Sequence, residues 1–296
     1  MEIVFTILVF ILILFLYIHI FQHYKTSSIM EIYEYEYISN KHLQEICDLK
    51  QPVLFQFSND IFKDISMISF LSLSENEINV KDIDDYWKTP TPTSVDSVKI
   101  SLNSFLQLIQ TDETKQFFTE NNHEFISQLP LLEDINPYLK PDFTFSPKYD
   151  FIMGSYNTIT PLKFHKDYRR FITVLNGSIK IKMLPYKYIK QLDCVMDYEN
   201  MEFWSPLNTF DISNTSIQFL DFEVYSGYTL YIPPYWFYSM KFSGKQQHNI
   251  LLSTTYDSPM NVLANTPDYT RNFIQKYNTS YKPTPTTSPI VKTESL

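Results

Sequence analysis

The chain has 296 residues, 44% hydrophobic and 17% aromatic, with a formal net charge of −9 and a pI near 5.2. That length and composition give a folded core of real size. An acidic chain whose only arginines are Arg169, Arg170 and Arg271 lacks the basic footprint of a nucleic-acid-binding protein. The two cysteines, Cys47 and Cys194, form no CxxC pair, which suits a reducing compartment and excludes a cysteine-based zinc site.

From the N-terminus, IVFTILVFILILFLYIHIFQHY runs without a charged side chain between Glu2 and Lys25. As a helix it is roughly 33 Å long, enough to cross a bilayer. No basic n-region precedes it and no small-residue cleavage site follows, so the pattern is an uncleaved single-pass anchor (residues 1–25) meeting the lipid bilayer through residues 3–22. Lys25 and His23 on its distal side favour a cytosolic main domain. The Asn-x-Ser/Thr matches at Asn176, Asn214 and Asn278 would permit a lumenal one.

Residues 26–40 read as a juxtamembrane linker, followed by a helix over Lys41–Leu49 and an apolar strand, QPVLFQF, over Gln51–Phe57. DIDDYWKTPTPT (Asp82–Thr93) reads as a polar loop. Ser101–Ile109 has helical spacing at Leu102, Phe105, Leu106 and Ile109, with Ser101 as cap. From about residue 150 to 257 the pattern changes to short alternating runs broken by Asn-Gly, Pro-Pro and Ser-Gly, which predicts a β-sandwich or barrel. Thr266-Pro267 opens a last amphipathic helix through Tyr277, placed either to close one end of the barrel or to dimerise. The Pro/Thr/Ser tail over 281–296 has no means of building a core and reads as disordered.

HExxH, Walker A, GxSxG and GxGxxG motifs are all absent. What remains is FHKDYRRFITVLNGSIKIKMLPY, with a His-x-Asp at His165 and Asp167. Residues two apart on a strand share a face, so this pair could supply two positions of a 2-His-1-carboxylate iron centre. A lone His-x-Asp is otherwise an ordinary surface pair.

Several stretches in order resemble the Jumonji-type, cupin-like family. QPVLFQF resembles its entry strand, and SLNSFLQLI with QFFTENN its helix and aromatic-then-Asn segment. FIMGSYNTITPLKFHKD resembles the strand bearing the first two iron ligands, VYSGYTLYIPPYWFYSMKF the Ile-Pro-x-x-Trp-x-His strand, and HNILLSTTY the returning strand. The likeness spans about 40–275. DYENMEFWSP and PPYWFYSMKF narrow it toward N-terminally anchored cupin-like proteins of large DNA viruses and algae. The resemblance implies a mainly β fold, a double-stranded β-helix (cupin or jelly-roll) with flanking helices over 41–280, beside the N-terminal transmembrane helix. It also implies, in active members, Fe(II)- and 2-oxoglutarate-dependent hydroxylation or demethylation.

The departures bear on activity. The distal histidine position falls on Tyr238, which alternation places inward with Trp236 and Met240. The co-substrate lysine position is Ile179, and the Asp expected after the turn glycine is Tyr228. A gapless match of TPLKF would instead make Lys163 the first ligand and His165 the carboxylate position. His248 could replace the missing ligand if Met240–Asn249 folded as a hairpin about Ser243-Gly244, bringing it opposite Tyr238; otherwise it faces solvent. Thr160, Ile179, Trp236 and Tyr238 are the candidate lining residues, and Arg169 and Arg170 are either anion contacts at the barrel mouth or a solvated edge.

Two functions follow. One is a membrane-anchored binding or structural module with a degenerate site, no cofactor, and a protein or small-molecule partner. The other is an active Fe(II)/2-oxoglutarate oxygenase acting on a peptide or small molecule, using His165 and Asp167.

Overall fold

The computed structural model describes residues 2–56, 74–88, 95–126, 129–211, 217–244 and 248–278. The tail over 281–296, Phe57 at the end of the entry strand, and Thr89–Thr93 of the predicted loop lie outside them. Helix α1 (Glu2–Tyr24) is the apolar run, and it is long and apolar enough to cross a membrane. It is followed by β1 (Tyr33–Glu36), α2 (Asn40–Cys47), β2 (Val53–Gln56), β3 (Glu77–Asp82), α3 (Ile83–Lys88), β4 (Val98–Ser101), α4 (Leu102–Thr111), β5 (Phe117–Thr119), α5 (His123–Ile126) and α6 (Asn136–Leu139). Strands β6 (Lys148–Gly154), β7 (Leu162–Phe164), β8 (Arg169–Asn176), β9 (Ser178–Leu184), β10 (Val195–Asp197), β11 (Glu202–Ser205), β12 (Leu220–Tyr225), β13 (Tyr228–Ile232), β14 (Phe237–Phe242) and β15 (Asn249–Tyr256) make the rest of the β structure. Helices α7 (Pro259–Ala264) and α8 (Thr266–Asn278) end the described chain.

The strands form two sheets, one of nine strands in the order β1-β2-β13-β8-β15-β6-β5-β3-β4 and one of six in the order β10-β11-β7-β14-β9-β12. From β6 to β9, and again from β12 to β15, each successive strand lies in the sheet opposite its predecessor. The Asn-Gly and Ser-Gly turns are therefore crossings between sheets. Gly177 takes φ +82 at one of them, and a Cβ there would collide with the Asn249 side chain. Asn249 Oδ1 accepts from Gly244 N (3.0 Å) and Ser178 N (3.3 Å), so one side chain ties two crossings together.

Period-two alternation sorts the core into layers. Ile172, Val174, Ile179, Ile181, Met183, Leu230, Trp236, Tyr238, Met240 and Leu251 fill the space between the sheets. The opposite faces of the same strands put Phe171, Tyr231 and Leu252 under α2 and α4, which contribute Leu43, Cys47 and Phe105. On the outside of the smaller sheet, Phe164, Phe203 and Phe237 form a third layer. The inward placing of Trp236, Tyr238 and Met240, and the apolar face of Ile179, Ile181 and Met183, follow the alternation in the sequence.

Two local expectations change, and one helix is added. The 26–40 stretch contains β1, which pairs in parallel with β2, Tyr33 opposite Val53. The Asp82–Thr93 loop begins as α3, because Asp82 Oδ1 accepts from Asp84 N (2.8 Å) and buried Tyr86 anchors the turn inward. The helix at the C-terminal end is preceded by α7, capped by Ser258. Ser101 caps α4 as its sequence predicts, accepting from Ser104 N.

Candidate functional site

His165 follows β7 and Asp167 precedes β8, where the chain crosses from the smaller sheet to the larger. The crossing brings both beside Tyr238 of β14, whose ring centroid is 6.1 Å from that of His165. Arg170, on the inward parity of β8 with Ile172, completes the group. Its Nε and Nη2 donate to Asp167 Oδ2 at 3.0 and 2.6 Å, and its Nη1 donates to the Tyr238 hydroxyl at 3.2 Å. Burial alone would raise the Asp167 carboxyl, but the Arg170 guanidinium and then His165 hold it far below the usual carboxylate range. Burial, followed by the Arg170 charge, lowers the His165 pKa against the pull of Asp167, so the imidazole is neutral near pH 7.

The residues implied for an iron centre fit it poorly. His165 is buried, with Nδ1 3.2 Å from Asp167 Oδ2 but no aligned hydrogen bond to either ring nitrogen among the described residues, so one donor is open. The carboxylate beside it is already neutralised, and a guanidinium stands within hydrogen-bond reach of both Asp167 and Tyr238. A divalent cation there would meet a fixed positive charge, and a phenol is a poor third donor for Fe(II). His248 supplies no replacement. Strands β14 and β15 lie in different sheets and do not pair as a hairpin, and His248 Nε2 is 3.0 Å from Gln110 Nε2. Among the described residues no group of three or more His, Cys, Asp or Glu is arranged to hold an ion.

The other candidates have structural partners. Thr160 Oγ1 accepts from Met240 N (2.9 Å) and its carbonyl accepts from Ser239 Oγ (2.7 Å), which fastens the chain before β7 to β14. Ile179 and Trp236 are fully buried between the sheets. Arg169 points to the opposite face from Arg170. It is buried against the Tyr168 ring (4.1 Å), donates from Nε to Gln44 Oε1 (3.0 Å), and pairs with Asp48. Both arginines are engaged in ion pairs, Arg169 with Asp48 and Arg170 with Asp167.

A second charged group shares the interior and was missed as a group. Lys163, opposite Tyr238 in the β7–β14 pairing, forms an ion pair with Glu120 just after β5. Lys81 of β3 lies 3.4 Å from Glu120 Oε1, pairs with Glu202 of β11, and donates to the Tyr86 hydroxyl at 3.0 Å; that hydroxyl donates to Glu202 Oε2 at 3.1 Å. Burial would raise Glu120, but Lys163 and Lys81 outweigh it and bring the carboxyl down to about 2. Burial opposes the Lys81 charge as well, yet Glu202 and Glu120 raise its pKa well above the usual amine value. A cavity of about 310 Å³ lined by Asn79, Lys81, Asn121, His123, Asn200 and Glu202 opens onto the outer rim of this group. Local parity points the other way: Lys163 stands between apolar Leu162 and Phe164, which face the outer layer, and only the pairing with Tyr238 shows that the lysine faces inward.

Comparison with known proteins leaves the assignment to this geometry: no family model matches the chain, and none of the curated proteins matches its sequence.

Proposed function

We propose that the chain is a membrane-anchored, cupin-like (Jumonji-like) module whose iron and 2-oxoglutarate site is degenerate, and that it works by binding or by holding a partner at a membrane. The strand-by-strand alternation between two facing sheets supports a double-stranded β-helix, and α1 supports the anchor. The observation that carries the degenerate site is the engagement of Asp167 and Tyr238 by a single arginine. In a working site the carboxylate faces a cation; here it faces Arg170. The co-substrate position supports the same reading, because Ile179 is an apolar core residue and offers no charge-assisted bond to a dicarboxylate.

Calorimetric titration of the detergent-solubilised chain with Fe(II) or Mn(II) under anaerobic conditions, with and without 2-oxoglutarate, tests this. The expected result is no stoichiometric binding in either case. One equivalent of metal that disappears in His165→Ala would overturn the reading in favour of an active oxygenase.

A further inference from the structure

The end of α1 is built into the domain. Lys50 Nζ donates to the carbonyls of Gln22 (2.5 Å), His23 (2.8 Å) and Lys25 (2.7 Å), satisfying groups that a helix C-terminus leaves without intrahelical partners. The Tyr24 hydroxyl donates to the Ala264 carbonyl, and the Tyr235 hydroxyl lies 3.2 Å from His23 Nε2. Along the helix, Leu16, Ile20 and His23 are shielded by the domain, a spacing that marks one helical face. Every residue from Glu2 to Phe15 is exposed.

The base of the domain is apolar beside that helix. A cavity of about 660 Å³ lies between α1 and the domain, with Phe15 and His19 on one wall and Phe143, Pro234, Pro259 and Met260 among the residues on the other. Phe143 is 92% exposed and sits at φ 54, a left-handed conformation a phenylalanine seldom adopts. Its turn is not loose, because Thr144 Oγ1 donates to the Pro141 carbonyl (2.8 Å) and Phe145 N to the Asp257 carbonyl (2.9 Å). An exposed aromatic ring is thus held out by a fixed turn beside the membrane helix, at the level of Phe15.

We propose that this base is embedded in the bilayer interface, with Phe143 inserted among the lipid chains and the cavity beside α1 filled by lipid. The inference rests on the reading that α1 spans the membrane. Phenylalanine is among the apolar side chains that interfacial segments bury at the boundary of headgroups and acyl chains. Asp48, Asp142 and Lys50 also line the cavity, two carboxylates to one amine, so its charge gives no preference for anionic lipid.

The test uses the full chain in a Cys194→Ser background, reconstituted in phosphatidylcholine vesicles. Cys47 is buried, and burial pushes its thiol up to about 12, so it does not label. An environment-sensitive fluorophore is placed on Phe143→Cys and, as control, on Val98→Cys, an exposed position on the strand at the far edge of the larger sheet. Both sites are open to solvent, and matching thermal unfolding shows that the labelled proteins are folded. The expected result is blue-shifted emission at position 143, quenched by lipid carrying a quencher high on its acyl chain, with neither effect at 98. Water-like emission at both sites, in protein that resists alkaline carbonate extraction, would overturn the embedded base and leave the spanning helix intact. Protein released by carbonate would overturn both.

Discussion

The two charged groups between the sheets are built in opposite ways. Arg170, Asp167 and His165 come from six consecutive residues, and only Tyr238 is brought in from elsewhere. Lys81, Glu120, Lys163 and Glu202 come from four separate parts of the chain and meet only because β3, β5, β7 and β11 assemble. Each group balances its own charge, one cation to one anion in the first and two to two in the second. A carboxylate that is already matched has little to offer a metal, and on the proposed reading this is how a His-x-Asp stands in the sequence without iron chemistry. The groups differ in exposure too. Side chains of Lys81 and Glu120 are 5% and 3% exposed, against 21% and 22% for Arg170 and Asp167. Removing one partner from the distributed group therefore leaves its counter-charge in the drier surroundings.

The largest expected effect breaks the distributed group. Glu120→Ala leaves Lys81 and Lys163 with a single carboxylate between them in a nearly dry site, and loss of one partner of a buried ion pair costs about 3–5 kcal/mol. Chemical denaturation should show the midpoint falling; a change within about 0.5 kcal/mol, typical of a surface substitution, would mean the group is solvated.

Acid probes the same carboxylate without mutation. Its folded pKa of about 2 is below the ordinary 4.5, so the unfolded chain binds the extra proton over that interval. The stabilisation is fully present above pH 4.5 and is lost as pH falls toward 2, with a size of ~3 kcal/mol from the linkage relation. Acid unfolding of Glu120→Gln should lose that part of the pH dependence.

The smallest effect sharpens the contrast. Tyr238→Phe removes one hydroxyl that accepts from the charged Arg170 and leaves the Asp167 pair intact, so the expected loss is ~2 kcal/mol. A loss several times larger would make Tyr238 a central support of the local group rather than a filler at its edge.

What was legible in the sequence divides along the same line. The apolar helix, the Ser101 cap, the inward parity of Trp236, Tyr238 and Met240, and the His165–Asp167 proximity all depend on residues close in sequence. The short strands β1, β3, β4 and β5 were invisible because pairing with distant neighbours, rather than local propensity, holds such segments extended. The hairpin weighed for His248 is not found, for a related reason. Ser-Gly between two apolar runs is a hairpin signal, yet here the glycine serves a crossing between sheets, with Asn249 as its brace. The role of Arg170 was equally hidden: its i−3 carboxylate is visible in the sequence, but the hydroxyl 68 residues away that completes its bonds is not.

The central claim is that Arg170 occupies the place where a metal would act on Asp167, and the guanidinium can be observed directly. In nitrogen-15-labelled protein in detergent, the Arg170 Nε–H should give a slowly exchanging resonance that is lost in Asp167→Asn. The account predicts that Mn(II), with or without 2-oxoglutarate, leaves that resonance sharp. Its selective broadening at stoichiometric Mn(II) would show a metal bound beside Asp167 and would contradict the account.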